Sequence, residues 1–338
     1  MKEIPFKLLI KTITLKRLLN ATLAIFSFLL SAIFKKHFIW GHPFILTVEP
    51  TNVCNLKCPL CVTGHGKIIR KAGLMNFETF KKIIDEAGAR IFYLLLYHQG
   101  EPFINKEFLK FVEYAKSKGI FVTTSTNGHY LDPEMAQRTI ASGIDSIILS
   151  IDGADQQSYE TYRVGGKLSQ VIESVKTLIH EKYRQRSKTP LIFIQFIVMQ
   201  HNEQQIEDME KLVKMLGADK FLKKTVHVET SQEAEQWLPK TDKFRRYRFH
   251  GNTLEPKRIG KGPCPRLWTS TLVNWDGSVV PCCFDKNGHH SFGSIKQEND
   301  FDKIWYSDKY ENFRTQILKN RGSLTICSNC SQGLRLYL

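Results

Sequence analysis

The sequence predicts an α/β fold, a partial (β/α)6 TIM-like barrel with an amphipathic helix before it and a small C-terminal domain after it. Strand-like apolar runs and helical patterns alternate six times from residue 44 onward, which is typical of βαβ units around a parallel sheet. The 338 residues are 42% apolar and 24% charged, as in an ordinary globular protein. All eight cysteines fall in two groups, at 54–61 and 264–330, which indicates two separate sites.

The first 43 residues differ from the rest, because Leu18–Phe34 carries no charge and is flanked by basic residues. Small and polar residues recur there at helical spacing, and they are Asn20, Ala24, Ser27, Ser31 and Lys35. The pattern predicts an interfacial amphipathic helix that meets an anionic membrane surface. A helix packed on the protein's own surface and a membrane-spanning anchor are the alternatives.

The barrel, at residues 44–230, is predicted from six strands and the helices between them. The strands are predicted at 44–49, 91–97, 120–124, 145–150, 190–198 and 224–229. The helices are predicted at Phe77–Ala87, Lys106–Ser117, Pro133–Ser142, Leu168–Tyr183 and Glu203–Leu216. Residues 231–262 break the alternation and are expected to form a linker to a domain at 263–338. In such folds, functional residues collect in the loops after the strands.

The loop after the first strand carries Cys54, Cys58 and Cys61 in a C-x3-C-x2-C arrangement. Three thiolates within eight residues suit an iron–sulfur cluster, and a four-iron cluster with three protein ligands keeps one iron open. Zinc is the alternative, because His65 could complete a Cys3His site. A disulfide is less suited to three clustered cysteines.

Three later loops, each behind its own strand, carry residues suited to a charged small molecule. Gly100 and Glu101 lie in Gln-Gly-Glu-Pro, where glycine permits a close approach of the backbone and the carboxylate can accept from a cation. Ser125-Thr-Asn-Gly128 follows the third strand. Ser150 ends the fourth strand, and together with Arg163 it is suited to hold a carboxylate.

This series of motifs resembles the radical S-adenosylmethionine superfamily. The resemblance implies that Cys54, Cys58 and Cys61 bind a 4Fe–4S cluster whose open iron takes the amino and carboxylate groups of S-adenosyl-L-methionine. It also implies that Gly100 and Glu101 hold the amino group, and that Ser150 and Arg163 hold the carboxylate. Two residues depart from the family pattern: Gln99 replaces a glycine, and Leu60 stands where an aromatic residue is common.

The second cysteine group comprises Cys264, Cys282, Cys327 and Cys330, with Cys283 left over as a buried thiol or as a substitute for Cys282. Spacing alone leaves structural zinc as an alternative, and four thiolates fill a metal's coordination. Trp275-Asp-Gly-Ser predicts a hairpin turn, and a helix is predicted after it. The stretch resembles a shortened SPASM domain, or twitch domain, which implies one auxiliary 4Fe–4S cluster.

The resemblance implies an enzyme that reductively cleaves S-adenosylmethionine to a 5′-deoxyadenosyl radical and abstracts hydrogen from a substrate. It implies a reductant such as flavodoxin or ferredoxin, and an auxiliary cluster that accepts or relays an electron. We expect a substrate that is lipid-linked or a saccharide, and a cytoplasmic protein at the inner face of the membrane. A ribosomal-peptide maturase, an RNA-modifying radical enzyme and a non-enzymatic electron carrier are the alternatives. Despite a net charge of +15, no run of like charge dominates, so a nucleic-acid partner is not expected.

Overall fold

A mixed sheet of nine strands organises the molecule in this computed structural model, which describes residues 9–250, 253–257, 262–296, 300–328 and 330. Its strand order is β11-β10-β9-β1-β2-β3-β4-β5-β6. The first six strands are parallel neighbours in chain order, and they are β1 (Ile45–Val48), β2 (Tyr93–Leu95), β3 (Phe121–Thr126), β4 (Ser146–Ser150), β5 (Leu191–Val198) and β6 (Lys220–Thr225). The predicted α/β class is thus confirmed.

Twelve α-helices accompany the strands in the described ranges. They are α1 (Leu15–Phe34), α2 (Phe77–Ala87), α3 (Phe108–Ser117), α4 (Pro133–Ala141), α5 (Gln156–Tyr162), α6 (Leu168–Arg184), α7 (Ile206–Leu216), α8 (Ser231–Trp237), α9 (Arg266–Thr269), α10 (Phe301–Trp305), α11 (Asp308–Asn320) and α12 (Thr325–Ser328). Local sequence sets their starts. Asp132 caps α4 by accepting from the Met135 amide, and Pro133 follows it at the first helical position. Of the helices between β1 and β6, only α5 was not predicted.

The parallel strands curl around a cavity of about 480 Å³. Each of the six parallel strands contributes to its lining, and in β1 the alternate residues Ile45 and Thr47 do so. Leu222 of β6 and Leu272 of β9 line this same cavity, although five strands separate β6 from β9 in the sheet. The sheet therefore forms a barrel-like wall around the cavity.

The strand β6 lies four residues earlier than predicted. Val226 and Val228 gave the expected alternation, but they follow the strand and are buried in a second apolar cluster beside Cys58. The strand itself reads Lys-Phe-Leu-Lys-Lys-Thr and forms one edge of the sheet. Lysines are common on edge strands because they discourage pairing with another chain.

The C-terminal segment extends the same sheet. Strand β9 (Ser270–Val273) pairs in parallel with β1, and β10 (Ser278–Val280) forms the predicted hairpin with β9. A short strand, β11 (Gly293–Ser294), pairs with β10. The main-chain hydrogen bonds of the barrel thus continue into the second cysteine region.

The segment 231–262, expected to be a linker, contains regular structure in its described parts. Helix α8 is followed by an antiparallel pair, β7 (Tyr247–His250) and β8 (Thr253–Pro256). Trp237 and Tyr247 are buried in the cluster that also includes Cys58. This segment therefore packs against the first cysteine loop.

Helix α1 lies against the protein with its small and polar side chains inward. Asn20 accepts from the amide and donates to the carbonyl of His42, and Ser31 bonds with both main-chain groups of Phe38. Its large apolar residues are exposed instead, and they are Leu15, Leu18, Leu19, Leu23, Phe26, Leu29, Ile33 and Phe34. In the described ranges, α1 is the one helix long and apolar enough to span a membrane.

Candidate active site

The cysteines of the first group line a smaller cavity of about 190 Å³ together with residues from the loops after β2, β3 and β4. Cys54, Cys58 and Cys61 follow β1, and the Cys61 amide donates to the Cys58 carbonyl. The carboxyl ends of parallel strands meet at one edge of the sheet. This is why loops far apart in sequence converge here.

The donor set fits a cluster better than a single zinc ion. In the described ranges, no three histidine, cysteine or acidic side chains converge closely enough to hold one metal ion. A tetrahedral zinc with bonds of about 2.3 Å needs such convergence, whereas an iron–sulfur cluster holds its thiolates further apart. His65 is exposed, which also disfavours the Cys3His alternative.

The surroundings of the three thiols favour a positive centre among them. Burial raises the pKa of Cys54 to about 11, so its thiolate needs a cation nearby. Asn127 Nδ2 lies 3.9 Å from Cys54 Sγ, and Arg163 Nη1 lies 3.9 Å from Cys58 Sγ. Both N–H groups can donate to sulfur, and such hydrogen bonds tune a cluster.

Glu101 is buried in the wall of the smaller cavity, where three groups donate to its carboxylate. These are the Thr126 hydroxyl and Asn127 amide, both at 2.7 Å, and the Phe103 amide at 3.2 Å. Burial raises the pKa of Glu101 to about 7 despite these donors. A cationic group beside it would favour the charged form.

Gly100 brings the Glu101 loop close to the cysteine loop. Its φ is +74°, and a Cβ there would lie 2.5 Å from the Thr51 carbonyl oxygen and 2.7 Å from that of Val53. The Glu101 amide donates to the same Val53 carbonyl. Only glycine suits this position, so the predicted close approach of the backbone is present.

Ser150 and Arg163 both line the smaller cavity, but Arg163 already has a carboxylate partner. Its Nε and Nη2 each lie 2.6 Å from Asp152 Oδ2. Asp152 is fully buried and also accepts from the Ile197 amide. The Nη1 edge, next to Cys58, is therefore the part of Arg163 that faces the site.

Tyr97 and His98, which follow β2, line both cavities and so connect them. His98 Nε2 is buried and has no hydrogen-bond partner in the described part of the chain. Burial lowers the pKa of His98 to about 3, so the ring stays neutral. Neither residue was predicted from the sequence: Tyr97 fell within the predicted strand 91–97, and only the position of His98 directly after it was an available signal.

The second cysteine group lies beside the larger cavity. Cys282 and Cys283 line this cavity, and Cys264 and Cys327 pack on the core nearby. The thiols interact electrostatically: burial raises the pKa of Cys327 to about 11, and Cys264 and Cys330 add to the shift. Cys283 is exposed rather than buried, and Arg266 Nη1 lies 3.4 Å from its sulfur.

A buried ion pair, missed in the sequence analysis, links the two cysteine regions. Arg70 holds both carboxylate oxygens of Glu49 at 2.7 Å, and Glu49 is fully buried at the end of β1. Glu49 also accepts from the Trp275 amide in the C-terminal hairpin and from the Gln99 amide. Because it bridges four segments, the pair fixes the loops that surround the site.

Comparison with known proteins gives matches along most of the chain. The profile of the radical SAM superfamily matches residues 48–216, and that of the SPASM iron–sulfur cluster-binding domain matches 264–331. A mycofactocin maturase of Mycobacterium ulcerans is 30% identical over 78% of this chain and 74% of its own. The tungsten-containing aldehyde ferredoxin oxidoreductase cofactor-modifying protein of Pyrococcus furiosus is 26% identical over 85% of this chain and 86% of its own.

Solved structures share the fold. SuiB of Streptococcus suis, bound to S-adenosylmethionine, superposes with a TM-score of 0.65 over 89% of this chain and 75% of its own, at 18% identity. BtrN, in complex with AdoMet and 2-DOIA, gives a TM-score of 0.53 over 86% of this chain and 94% of its own, at 18% identity. The chain belongs to the radical SAM superfamily and is an enzyme with a SPASM iron–sulfur domain, so its cofactors are S-adenosylmethionine and 4Fe–4S clusters.

Proposed function

We propose that this enzyme abstracts a hydrogen atom from an organic substrate held in the larger cavity. One observation carries the proposal: the larger cavity is lined both by Tyr97 and His98, which also line the smaller cavity, and by Cys282 of the second cysteine group. A substrate there would lie between the two iron–sulfur sites. The cluster and S-adenosylmethionine supply a 5′-deoxyadenosyl radical, and the protein binds and orients both partners.

The roles of individual residues follow from their positions around the smaller cavity. Cys54, Cys58 and Cys61 are the ligands of the first cluster, and Glu101 holds the cofactor's amino group. Ser150 and the free edge of Arg163 are placed for the cofactor's carboxylate. Gly100 keeps this loop close to the cysteine loop. These assignments rest on shared cavity walls, hydrogen bonds and burial.

The auxiliary cluster would be held by Cys264, Cys282, Cys327 and Cys330, and it would supply an acceptor for the electron left on the substrate after hydrogen abstraction. With the loss of a proton as well, the substrate would undergo a net two-electron oxidation. A reductant such as flavodoxin or ferredoxin supplies the electron for cofactor cleavage. Support comes from the position of Cys282 in the wall of the substrate cavity.

The class of substrate is narrowed by the size of the cavity and by the relatives. A cavity of about 480 Å³ is in the size range of small-molecule sites. It has room for a compact molecule or for a few side chains of a peptide. The similar proteins include a maturase and a cofactor-modifying protein, which favours modification of a cofactor or its precursor. A saccharide or a lipid headgroup is the competing substrate, favoured by the exposed apolar face of α1.

Production of 5′-deoxyadenosine tests the reaction. The enzyme, reconstituted with iron and sulfide without oxygen, is reduced in the presence of S-adenosylmethionine and its products are separated by chromatography. We expect slow cleavage by the unaltered enzyme and none by Cys58→Ala. Cys283→Ala is the matched control and should retain cleavage. Cleavage that persists in Cys58→Ala would contradict the proposal.

The exposed apolar face of α1 is proposed to dock on an anionic membrane at the cytoplasmic side. Eight large apolar residues of this helix are exposed, which is unusual for a soluble surface. Exposed lysines lie at both ends, Lys11 before the helix, Lys16 in its first turn, and Lys35 and Lys36 after it. Because the polar face is bound to the protein, α1 is suited to lie flat on the bilayer.

Sedimentation with vesicles tests this docking. We expect the protein to sediment with vesicles rich in phosphatidylserine and less with phosphatidylcholine alone. Phe26→Asp should abolish sedimentation because it places a charge in the apolar face. Met215→Asp, at another exposed apolar position, on α7, is the control and should sediment normally. If the two variants sediment with the vesicles to the same extent, the proposed docking of α1 on a membrane is wrong.

A further inference from the structure

We propose that the substrate carries an anionic group, a carboxylate or a phosphate, which binds next to Lys224 in the larger cavity, with its apolar body against the strands. The inference rests on the proposed function in one respect, because it takes this cavity to be the substrate site. It adds the chemical class of the substrate and the residue that recognises it.

Strand geometry places Lys224 in the cavity. Side chains of a strand alternate between its two faces, and Leu222 and Lys224 of β6 both line the cavity. Lys223 points to the opposite face, where its Nζ lies 2.6 Å from Glu210 of α7. The two neighbouring lysines thus have different environments, one paired on the outside and one at the cavity wall.

Among the described residues, no carboxylate compensates the charge of Lys224. No described aspartate or glutamate lines the cavity, and none of the described residues forms a hydrogen bond or an ion pair with Lys224. The side chain is accessible through the cavity, yet the surrounding protein lowers its pKa, and Arg246 nearby lowers it further. Arg266 also lines the cavity, but its Nη1 lies 3.4 Å from the Cys283 sulfur. A ligand anion would compensate the charge of Lys224.

The rest of the wall defines the neutral part of the substrate. Apolar side chains from five strands face the cavity, and they are Ile45, Leu95, Ile148, Phe193 and Leu222. Thr47, Thr123 and Thr271 also line the cavity, and the hydroxyls of Thr123 and Thr271 already accept from Ser146 and Tyr310. Apolar walls with a few convergent polar groups are typical of small-molecule sites. The lining therefore favours a compact amphiphile with one anionic end and disfavours a cationic substrate.

Calorimetric titration of the enzyme loaded with both clusters tests the subsite with matched probes. Octanoate and octyl phosphate carry the two candidate anions, and 1-octanol has the same chain without charge. We expect at least one of the anions to bind about tenfold or more tightly than 1-octanol, as charge-assisted contacts do. Their relative affinity distinguishes a carboxylate substrate from a phosphate.

Two adjacent substitutions isolate the contribution of Lys224. Lys224→Met keeps an unbranched side chain of similar length and removes its charge, so anion affinity should fall about tenfold towards that of 1-octanol. Lys223→Met should leave all three affinities unchanged. The proposal is overturned if both variants lose affinity equally, if 1-octanol binds as tightly as the anions, or if no anion binds.

Failure of this inference can be told from failure of the proposed function. Probe binding needs no reduction of the enzyme, and 5′-deoxyadenosine formation needs no substrate anion. Lys223 lies on the opposite face of β6 and outside both cavities, so Lys223→Met should retain basal cofactor cleavage as well as anion binding. If the anions bind but S-adenosylmethionine is not cleaved, the radical function is wrong and the anion subsite stands. If S-adenosylmethionine is cleaved but no anion binds, the anion subsite is wrong and the radical function stands.

Discussion

Glu101 shows how one residue can be poised for a cationic partner. It is buried, accepts three hydrogen bonds, and has no basic side chain in ion-pair contact among the described residues. Burial raises its pKa to about 7 because the surroundings stabilise the neutral form. An ammonium group in the cavity would favour the carboxylate, so cofactor binding and proton release are coupled at this residue.

The affinity for S-adenosylmethionine should therefore depend on pH through Glu101. The carboxyl pKa without the cofactor is about 7, so affinity should fall as pH decreases below that value and the carboxyl becomes protonated. Glu101→Gln should bind about tenfold or more weakly above pH 7 and lose this pH dependence. Glu229→Gln, an exposed control, should behave like the unaltered enzyme. Calorimetry at several pH values gives the comparison, and an unchanged pH profile in Glu101→Gln would reject the role.

Local motifs predicted some functional residues and could not predict others. The cysteine triplet lies within one short stretch of the sequence, and Gly100-Glu101 lies within another. The spacing of the residues inside each stretch therefore predicts their chemistry. The partner of Arg163 could not be predicted in this way. Asp152 contacts Arg163 only because α5, a helix that was not predicted, reverses the direction of the chain between them. Lys224 is likewise indistinguishable from Lys223 until the register of β6 is known.

At the scale of elements, α1 has a polar face that is buried and an apolar face that is exposed. The sequence predicted the helix and the stripe of small residues, but periodicity does not tell which face meets the protein. Arg17 explains much of the outcome. Its guanidinium is buried and donates to the carbonyls of Thr12, Gly88, Lys118 and Gly119.

Replacing Arg17 should weaken the attachment of α1. Arg17→Met leaves buried carbonyl groups without a donor, which should lower stability by about 3 kcal/mol. The midpoint of urea denaturation measures the loss. Lys16→Met, at an exposed neighbour, should change stability by no more than about 0.5 kcal/mol. If both substitutions lower the free energy of unfolding equally, the hydrogen bonds of Arg17 do not stabilise the attachment of α1.

Gly41 should be needed for the close packing of α1. A Cβ at this position would lie 2.5 Å from the Ala24 amide nitrogen and 2.7 Å from the Asn20 carbonyl oxygen, both backbone atoms. Gly41→Val should displace the helix, so amides of 15–34 should lose protection from hydrogen exchange. Gly322→Ala, where the nearest atom is a side-chain oxygen at 3.4 Å, is the control. Full protection in Gly41→Val would refute this packing argument.

At the scale of the molecule, pairing of β9 with β1 joins the two cysteine regions. The alternation of strands and helices predicted the parallel sheet, because each unit has its own local pattern. The continuation of the sheet into the C-terminal segment could not be predicted, since Ile45 pairs with Ser270 far along the chain and such pairing leaves no local signal. The shared cavity is a consequence of that pairing.

Loss of one proposed ligand of the auxiliary cluster should remove the iron of that cluster without removing the iron of the first cluster. Cys327→Ser should lower the iron content by about four per chain, as expected for one four-iron cluster, and leave the first cluster in place. Cys283→Ser should keep the full iron content because this thiol is outside the proposed ligand set. Iron analysis of both variants provides the test, and unchanged iron in Cys327→Ser would contradict the ligand assignment.

Electron paramagnetic resonance of the reduced enzyme, with and without S-adenosylmethionine, tests the central claim most directly. The account predicts two cluster signals, of which only one changes when S-adenosylmethionine is added, because only the cluster at Cys54, Cys58 and Cys61 keeps an open iron. Cys58→Ala should remove that signal, and Cys327→Ser should leave it responsive. If both signals respond to the cofactor, or neither does, the division into an open catalytic site and a closed auxiliary site is wrong.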